Sequence, residues 1–176
     1  EDYVIHLSSV EPHKGTTRLI RWWVEIAKTR EDLPALHLIG NVPEEIRSLV
    51  EESDRIIKRP FLSDEELQAT YRKAKALILP SEIEGFGLPA LEAYYLGTPV
   101  CFVRGTSVEE VLSVATAKGG MSLDNPESQI AALDEVLAMD PGEIRDCGLK
   151  LRKVYSLKTV SERMLTVFQE VSREFS

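Results

Sequence analysis

Residues 76–99, which read ALILPSEIEGFGLPALEAYYLGTP, constrain the fold of this chain more than any other stretch. The apolar run Ala76–Leu79 predicts a short buried strand, and Pro80 ends it because proline cannot donate to a strand ladder. A glycine-containing loop follows, and Leu88 begins an apolar helix that ends at Gly97. The stretch therefore predicts a strand, a loop and a helix in close succession.

The loop and the first helical turn predict a site for an anion. Two glycines around Phe86 allow the backbone to approach a ligand closely. The free N–H groups of the helix that begins at Leu88, together with the positive end of its dipole, favour an anion such as phosphate. Glu84 and Glu92 flank these amides, and carboxylates in that position suit a ligand rich in hydroxyl groups.

The segment PSEIEGFGLPALEA resembles the signature of the GT-B fold retaining glycosyltransferases of family 4, the glycosyl transferases group 1, in which seven residues separate two glutamates. The resemblance implies that Glu84 lies against the donor sugar as a catalytic residue and that Glu92 hydrogen-bonds the ribose. It also implies a set of residues that bind the sugar and diphosphate, namely Gly85, Phe86, Gly87 and Leu88. By this resemblance the chain is the C-terminal, donor-binding domain of such an enzyme.

The same resemblance implies two further site residues. Lys14, at the end of the loop after the first strand, matches a lysine that binds the donor diphosphate, and we assign it as catalytic. Many members carry an arginine five residues earlier, where this chain has Ser9, so one of two expected cationic contacts is missing. The loop from Lys58 to Phe61 is implied to lie near the nucleotide base, and we assign Lys58 to substrate binding. The chain contains neither GxGxxG nor a P-loop motif.

Alternating strand and helix patterns predict an α/β fold. Short apolar runs predict six strands, at Tyr3–Leu7, Ala35–Ile39, Arg55–Lys58, Ala76–Leu79, Val100–Val103 and Gly119–Leu123. The predicted fold is a Rossmann-like, doubly wound parallel sheet of about six strands with helices on both faces. In the common order 3-2-1-4-5-6, strands one and four are neighbours, so Lys14 and the loop after Pro80 should face each other across one crevice.

Capping signals predict where several helices begin. Either Thr16 or Thr17 can cap the first helix, and Pro43 is expected at the start of the second. Ser63 with Glu66 three residues later predicts a capping box for the third helix.

The length of 176 residues fits one domain of ordinary size. We expect a Rossmann-like nucleotide-sugar-binding domain over residues 1–157 and a C-terminal helix over residues 158–176, predicted to end at about Phe175. The resemblance implies that this helix packs back toward an N-terminal domain in cis. Because the chain begins at Glu1 and not at methionine, we expect an excised domain. The resemblance implies that the acceptor half is on the other domain, so we expect the isolated fragment to be inactive.

Composition excludes several classes of protein. The chain is 43% apolar with no apolar run near the ~20 residues that span a bilayer, and its net charge of −8 gives no general attraction to nucleic acid. Cys101 and Cys147 predict reduced, buried thiols in a cytoplasmic protein. The histidines have no metal-ligand spacing, and we expect His6 and His37 to be core or edge residues. We predict no metal site.

The resemblance implies transfer of a hexose, with retention of configuration, from a nucleoside diphosphate sugar to a saccharide or lipid-linked acceptor in polysaccharide or glycoconjugate biosynthesis. The donor is a substrate, and no cofactor is expected. Peripheral contact with the inner face of the membrane, through the missing domain, stays open. Two alternatives also stay open. One is a nucleotide-sugar epimerase of GT-B fold, and the other is a non-catalytic nucleotide-sugar-binding subunit, which Ser9 favours.

Overall fold

The computed structural model describes residues 2–174 as a six-stranded parallel sheet with helices on both faces. The strands run in the order β3-β2-β1-β4-β5-β6, which confirms the predicted topology. Their bounds are β1 (Tyr3–Ser8), β2 (Ala35–Gly40), β3 (Ile56–Arg59), β4 (Leu77–Leu79), β5 (Val100–Val103) and β6 (Gly120–Met121).

Helices connect the strands, and three further helices follow the sheet. Their bounds are α1 (Thr16–Ala27), α2 (Arg47–Glu52), α3 (Asp64–Lys73), α4 (Leu88–Leu96), α5 (Ser107–Leu112), α6 (Pro126–Leu137), α7 (Pro141–Tyr155) and α8 (Leu157–Glu174). Two 3₁₀ turns, Pro12–Lys14 and Glu44–Ile46, precede α1 and α2.

The core lies on both faces of the sheet. The central strands are almost continuously apolar because helices cover them on both sides, and Val4, Ile5 and Leu77 have no exposed surface. Trp23 of α1 is also fully buried, in line with the helical spacing of the apolar residues in its segment.

The pairing of β1 with β4 sets the geometry of one sheet edge. Ile5 lies opposite Leu77, and the Ile5 N–H donates to the Ala76 carbonyl at 2.9 Å. Parallel neighbours end at the same edge, so the loops that follow β1 and β4 lie side by side at the switch point of the sheet.

The predicted caps are partly right. Ser63 and Glu66 form both hydrogen bonds of the predicted capping box. The prediction that Thr16 or Thr17 caps α1 is wrong, because Gly15 is the N-cap and supplies no side chain. Pro43 precedes the 3₁₀ turn Glu44–Ile46 and not an α-helix. Because this turn comes first, α2 begins only at Arg47.

The two cysteines are free and buried, as predicted. Burial raises the pKa of both thiols, so they stay protonated at neutral pH. Within the described chain, no helix is long and apolar enough to cross a membrane.

The last helix, α8, packs against α7 and leaves a broad apolar stripe uncovered. Leu157 is 85% exposed and Phe168 is 63% exposed, and similar apolar residues recur at helical spacing between them. The helix begins one residue before the predicted Lys158, and the predicted end at Phe175 lies outside the described residues.

The substitution Gly15→Ala should destabilise the chain more than Gly97→Ala. Both glycines are left-handed, with φ of 72° and 87°, so either alanine is strained by about 1–2 kcal/mol. A Cβ at Gly15 would also overlap the Pro80 carbonyl, whereas no described atom lies within 4 Å of a Cβ at Gly97. Urea unfolding of both variants measures the difference, and equal losses would show that the contact with Pro80 is unimportant.

Candidate functional site

The loop between β1 and α1 is held in one conformation by backbone hydrogen bonds. The Lys14 N–H donates to the Glu11 carbonyl at 3.0 Å, which closes the 3₁₀ turn. The Glu82 N–H donates to the His13 carbonyl at 2.9 Å and ties this loop to the one between β4 and α4. Lys14 therefore lies in a turn that backbone hydrogen bonds hold at the switch point of the sheet.

Lys14 and Glu84 form an ion pair across the switch point. The distance from Lys14 Nζ to Glu84 Oε1 is 2.9 Å, and the two side chains are 31% and 11% exposed. Limited access to water strengthens such a pair relative to one on the open surface. The structure thus brings together two predicted catalytic residues that lie 70 positions apart in the sequence.

The N-terminus of α4 lies beside this ion pair. Gly87 is its N-cap with φ of 82°, and no side chain among the described residues caps the helix. A Cβ at Gly87 would approach Val108 Cγ2 to 2.8 Å, so both the backbone and the packing require glycine. The Ser107 hydroxyl donates to the Glu84 carbonyl at 2.7 Å and fixes the start of the loop. Pro89 has no N–H, and the Ala90 N–H donates to the Gly87 carbonyl at 2.9 Å, so it is the Leu88 N–H of the first turn that is available to an anion.

The other predicted loop residues are exposed. A Cβ at Gly85 would meet no described atom within 4 Å, so packing does not require glycine there. Phe86 is 42% exposed and meets the Tyr155 ring edge-on at 5.5 Å, while Leu88 is 60% exposed. These side chains are open to a ligand or to another domain.

Glu92 lies on α4 and faces a cavity that neither Lys14 nor Glu84 lines. This cavity, of about 540 Å³ between α3 and α4, is lined by Asp64, Tyr71 and Glu92 among others. Burial and the nearby Asp64 carboxylate raise the pKa of Glu92. The two glutamates of the motif therefore have different surroundings, since Glu84 pairs with Lys14 and Glu92 faces the cavity between α3 and α4.

Lys58 is not brought next to Lys14 or Glu84. It lies in β3, the edge strand, with an exposed side chain, and β2 separates it from β1. The predicted contact of Lys58 with a nucleotide base stays a prediction.

His6 has a role that its sequence position did not predict. Its Nδ1 lies 3.0 Å from the Ile78 carbonyl, which can only accept, so Nδ1 carries the proton. Its Nε2 then accepts from the Thr16 hydroxyl at 2.9 Å, and Thr16 Oγ1 accepts from the Ser9 N–H at 3.0 Å. His6 is a core residue, as expected, and both of its ring nitrogens are hydrogen-bonded. Through Thr16, which also accepts from the Ser9 N–H, it connects the two ends of the loop that carries Lys14.

Ser9 occupies a structural position at the start of that loop. Besides its N–H bond to Thr16, its hydroxyl accepts from the Glu11 N–H at 3.2 Å. A further cation missed by the sequence reasoning, Arg18, lines a cavity with Ser9 and donates to Glu82 Oε1 at 2.7 Å.

Metal ligands do not cluster in the described part of the chain. Over residues 2–174 there is no group of three or more histidine, cysteine, aspartate or glutamate side chains that could hold an ion. Positive charge at the site comes from Lys14, together with the partial charge of the Leu88 N–H at the start of α4.

Comparison with known families identifies the chain. Residues 1–153 match the family described as "Glycosyl transferases group 1". The chain belongs to this family. It is 30% identical over 122 residues to the MMP alpha-(1->4)-mannosyltransferase of Mycolicibacterium hassiacum, a match that covers 67% of the chain and 30% of that protein. It is 29% identical over 154 residues to the D-inositol 3-phosphate glycosyltransferase of Acidothermus cellulolyticus, covering 79% of the chain and 34% of that protein.

Solved structures share the fold of this family member. Sucrose-phosphate synthase from Thermosynechococcus elongatus superposes with a TM-score of 0.76 at 21% identity, over 99% of the chain and 46% of that protein. The Anabaena HepE protein, solved with UDP and glucose, gives 0.72 at 15% identity, over 97% of the chain and 48% of that protein. The chain therefore spans about a third of the length of these curated relatives and under half of the length of the chains in these structures.

Stability should fall as the pH drops from about 6.5 to 4. Burial lowers the pKa of His6 from 6.5 to about 4, so the unfolded chain binds more protons in this window. The loss attributable to His6 should reach roughly 3 kcal/mol. Urea unfolding at several pH values measures the slope, which His6→Asn should flatten. An unchanged slope in His6→Asn would contradict the assignment.

Proposed function

We propose that this chain is the donor-binding domain of a retaining glycosyltransferase, which moves a hexose from a nucleoside diphosphate sugar to a saccharide or lipid-linked acceptor. The observation that carries the proposal is the ion pair of Lys14 with Glu84 beside the uncapped N-terminus of α4. Membership of the glycosyl transferases group 1 supports the reaction class. Mannosyltransferases among the relatives support a hexose, and the product would be a polysaccharide or glycoconjugate.

The proposed chemistry separates charge at the two ends of one bond. As the bond between the anomeric carbon and the diphosphate oxygen breaks, negative charge grows on the leaving group. Lys14 and the Leu88 N–H at the start of α4 would stabilise this charge. Glu84, released from Lys14 by the incoming diphosphate, would face the positive charge that develops on the sugar. No cofactor takes part in this proposal.

A second domain in cis would complete the enzyme. The uncovered apolar stripe of α8 supports packing of this helix against an N-terminal domain that carries the acceptor site. Under this proposal the present chain binds donor without turnover. Any peripheral contact with the inner face of the membrane would belong to that other domain.

Replacing the two glutamates separately should separate nucleotide binding from sugar binding. We expect Glu92→Ala to weaken binding of both free nucleotide and nucleotide sugar, because its proposed partner is the ribose. We expect Glu84→Ala to weaken the nucleotide sugar but spare the free nucleotide. Calorimetric titration with GDP, UDP and ADP and their hexose derivatives measures both.

Glu82→Ala is the matched control for Glu84→Ala. Glu82 lies in the same loop and is paired with Arg18 instead of Lys14, so its loss should leave both affinities nearly unchanged. If Glu84→Ala weakened free nucleotide and nucleotide sugar equally, its assignment to the sugar would be wrong.

Lys14→Ala should weaken diphosphates far more than nucleosides. A charge-assisted hydrogen bond contributes about 1.5–3 kcal/mol, so nucleoside diphosphate affinity should fall by roughly tenfold or more. Lys28→Ala removes an exposed lysine paired with Glu25 of α1 and serves as the control. Equal effects of Lys14→Ala on diphosphates and nucleosides would remove Lys14 from the site.

Ser9 at the position of the common arginine favours a second candidate, a non-catalytic nucleotide-sugar-binding subunit. Turnover by the protein that contains this chain distinguishes the candidates. Transfer of the hexose to an acceptor supports the proposed function, while epimerised free donor would indicate the isomerase alternative. Tight donor binding without either product would favour the non-catalytic subunit.

A further inference from the structure

A buried hydrogen-bond network lies at the base of the loop that carries Lys14. His6 and Thr16 are each 1% exposed. The Thr16 hydroxyl donates to His6 Nε2 at 2.9 Å and accepts from the Ser9 N–H at 3.0 Å. His6 Nδ1 donates to the Ile78 carbonyl at 3.0 Å. This loop-base network therefore joins β1, β4 and the start of α1.

The protons of the loop-base network have one arrangement at neutral pH. Burial lowers the pKa of His6 to about 4, so its ring is neutral and carries a single N–H. The Ile78 carbonyl accepts that N–H, which leaves Nε2 as an acceptor for the Thr16 hydroxyl. Because the hydroxyl hydrogen points to His6, an oxygen lone pair is left for the Ser9 N–H. His6 therefore orients the hydroxyl group that receives the loop.

The hydrogen bond from Ser9 to Thr16 joins the two ends of the lysine loop. Ser9 begins this loop, Thr16 begins α1, and Lys14 lies between them in the 3₁₀ turn. Joining the ends of a short loop removes many of its conformations, so the backbone of the lysine is held near one position. A different hydrogen bond, from the Glu82 N–H to the His13 carbonyl, ties this loop to the one after β4. The loop-base network ties it to β1.

The proposed reaction depends on this network most when the donor is bound. In the structure, Glu84 Oε1 holds Lys14 Nζ at 2.9 Å. In the proposed reaction the incoming diphosphate takes the place of Glu84, so the ion pair no longer positions the lysine. The position of its ammonium group then depends on the backbone of the loop. Because a charge-assisted hydrogen bond is short and directional, a small displacement of that backbone weakens it.

We propose that Thr16, oriented by His6, is a positioning residue that holds Lys14 in place for the diphosphate of the donor. The inference rests on the proposed function and adds a residue that acts without touching the substrate. Ser9 takes part through its main-chain N–H, so its side chain is not needed for this contact.

Removal of the Thr16 hydroxyl tests the proposal. Thr16→Val keeps the branched shape of the side chain but leaves the Ser9 N–H and His6 Nε2 unpaired. We expect the affinity for nucleoside diphosphates to fall by roughly 3- to 30-fold, within the range of coupling inside one hydrogen-bond network. The affinity for nucleosides, which carry no diphosphate, should be unchanged. Calorimetric titration of the full chain with UDP, GDP and ADP and with the three nucleosides measures both.

Two matched variants separate positioning from a general loss of stability. Thr16→Ser keeps the hydroxyl and should bind diphosphates as the wild type does. Thr17→Val is the same substitution at the next residue, whose hydroxyl donates to Glu45 Oε1, and it should also keep both affinities. If Thr16→Val does not fold, His6→Asn takes its place, because asparagine can donate to the Ile78 carbonyl but is too short to reach Thr16. It should show the same selective loss.

A double-mutant cycle with Lys14→Ala tests whether Thr16 acts through the lysine. In the Lys14→Ala background, Thr16→Val should cause no further loss of diphosphate affinity. Additive losses, or equal losses for diphosphates and nucleosides, would overturn the positioning role while the donor function stands. Full diphosphate affinity in Lys14→Ala, or binding of no nucleotide by the folded wild type, would overturn the proposed function and this inference with it.

Discussion

The pairing of β1 with β4 is the constraint on which the rest of the site depends. These strands are far apart in sequence, yet backbone hydrogen bonds join them, among them those from the Ile5 N–H to the Ala76 carbonyl and from the Lys75 N–H to the Tyr3 carbonyl. Parallel strands must end at the same edge, so their loops meet there. Gly15 lies directly against the Pro80 carbonyl, and His6 joins Ile78 to Thr16, so the two loops are locked to each other as well as to the sheet.

This constraint concentrates positive charge in a chain that is negative overall. The net charge is −8, and an anion finds no attraction over most of the surface. At the switch point, Lys14 and the N-terminus of α4, with its free Leu88 N–H, make a local exception. Glu84 holds Lys14 in place at 2.9 Å, so the cation is already positioned before a ligand arrives. The proposed catalytic residues Lys14 and Glu84 therefore also hold their two loops together through their ion pair.

Helix α4 connects two regions of the proposed donor site. Its N-terminal loop carries Glu84 toward Lys14, and Glu92, about one turn into the helix, faces α3. The seven residues between the two glutamates thus set the spacing between the two carboxylates. A rigid helix anchored by Gly87 against Val108 holds that spacing.

The sequence by itself determined the element order, the sheet topology and the family, because alternating apolar runs and a fixed motif are local patterns. It also placed Lys14 opposite the loop of Glu84, once the common strand order of doubly wound sheets was assumed. Only the tertiary structure showed that Gly15 caps α1, that His6 holds the lysine loop, and that Asp64 shares a cavity with Glu92. These features depend on contacts between residues of different elements. Such contacts are set by how the elements pack, so the spacing of residues along the chain does not predict them.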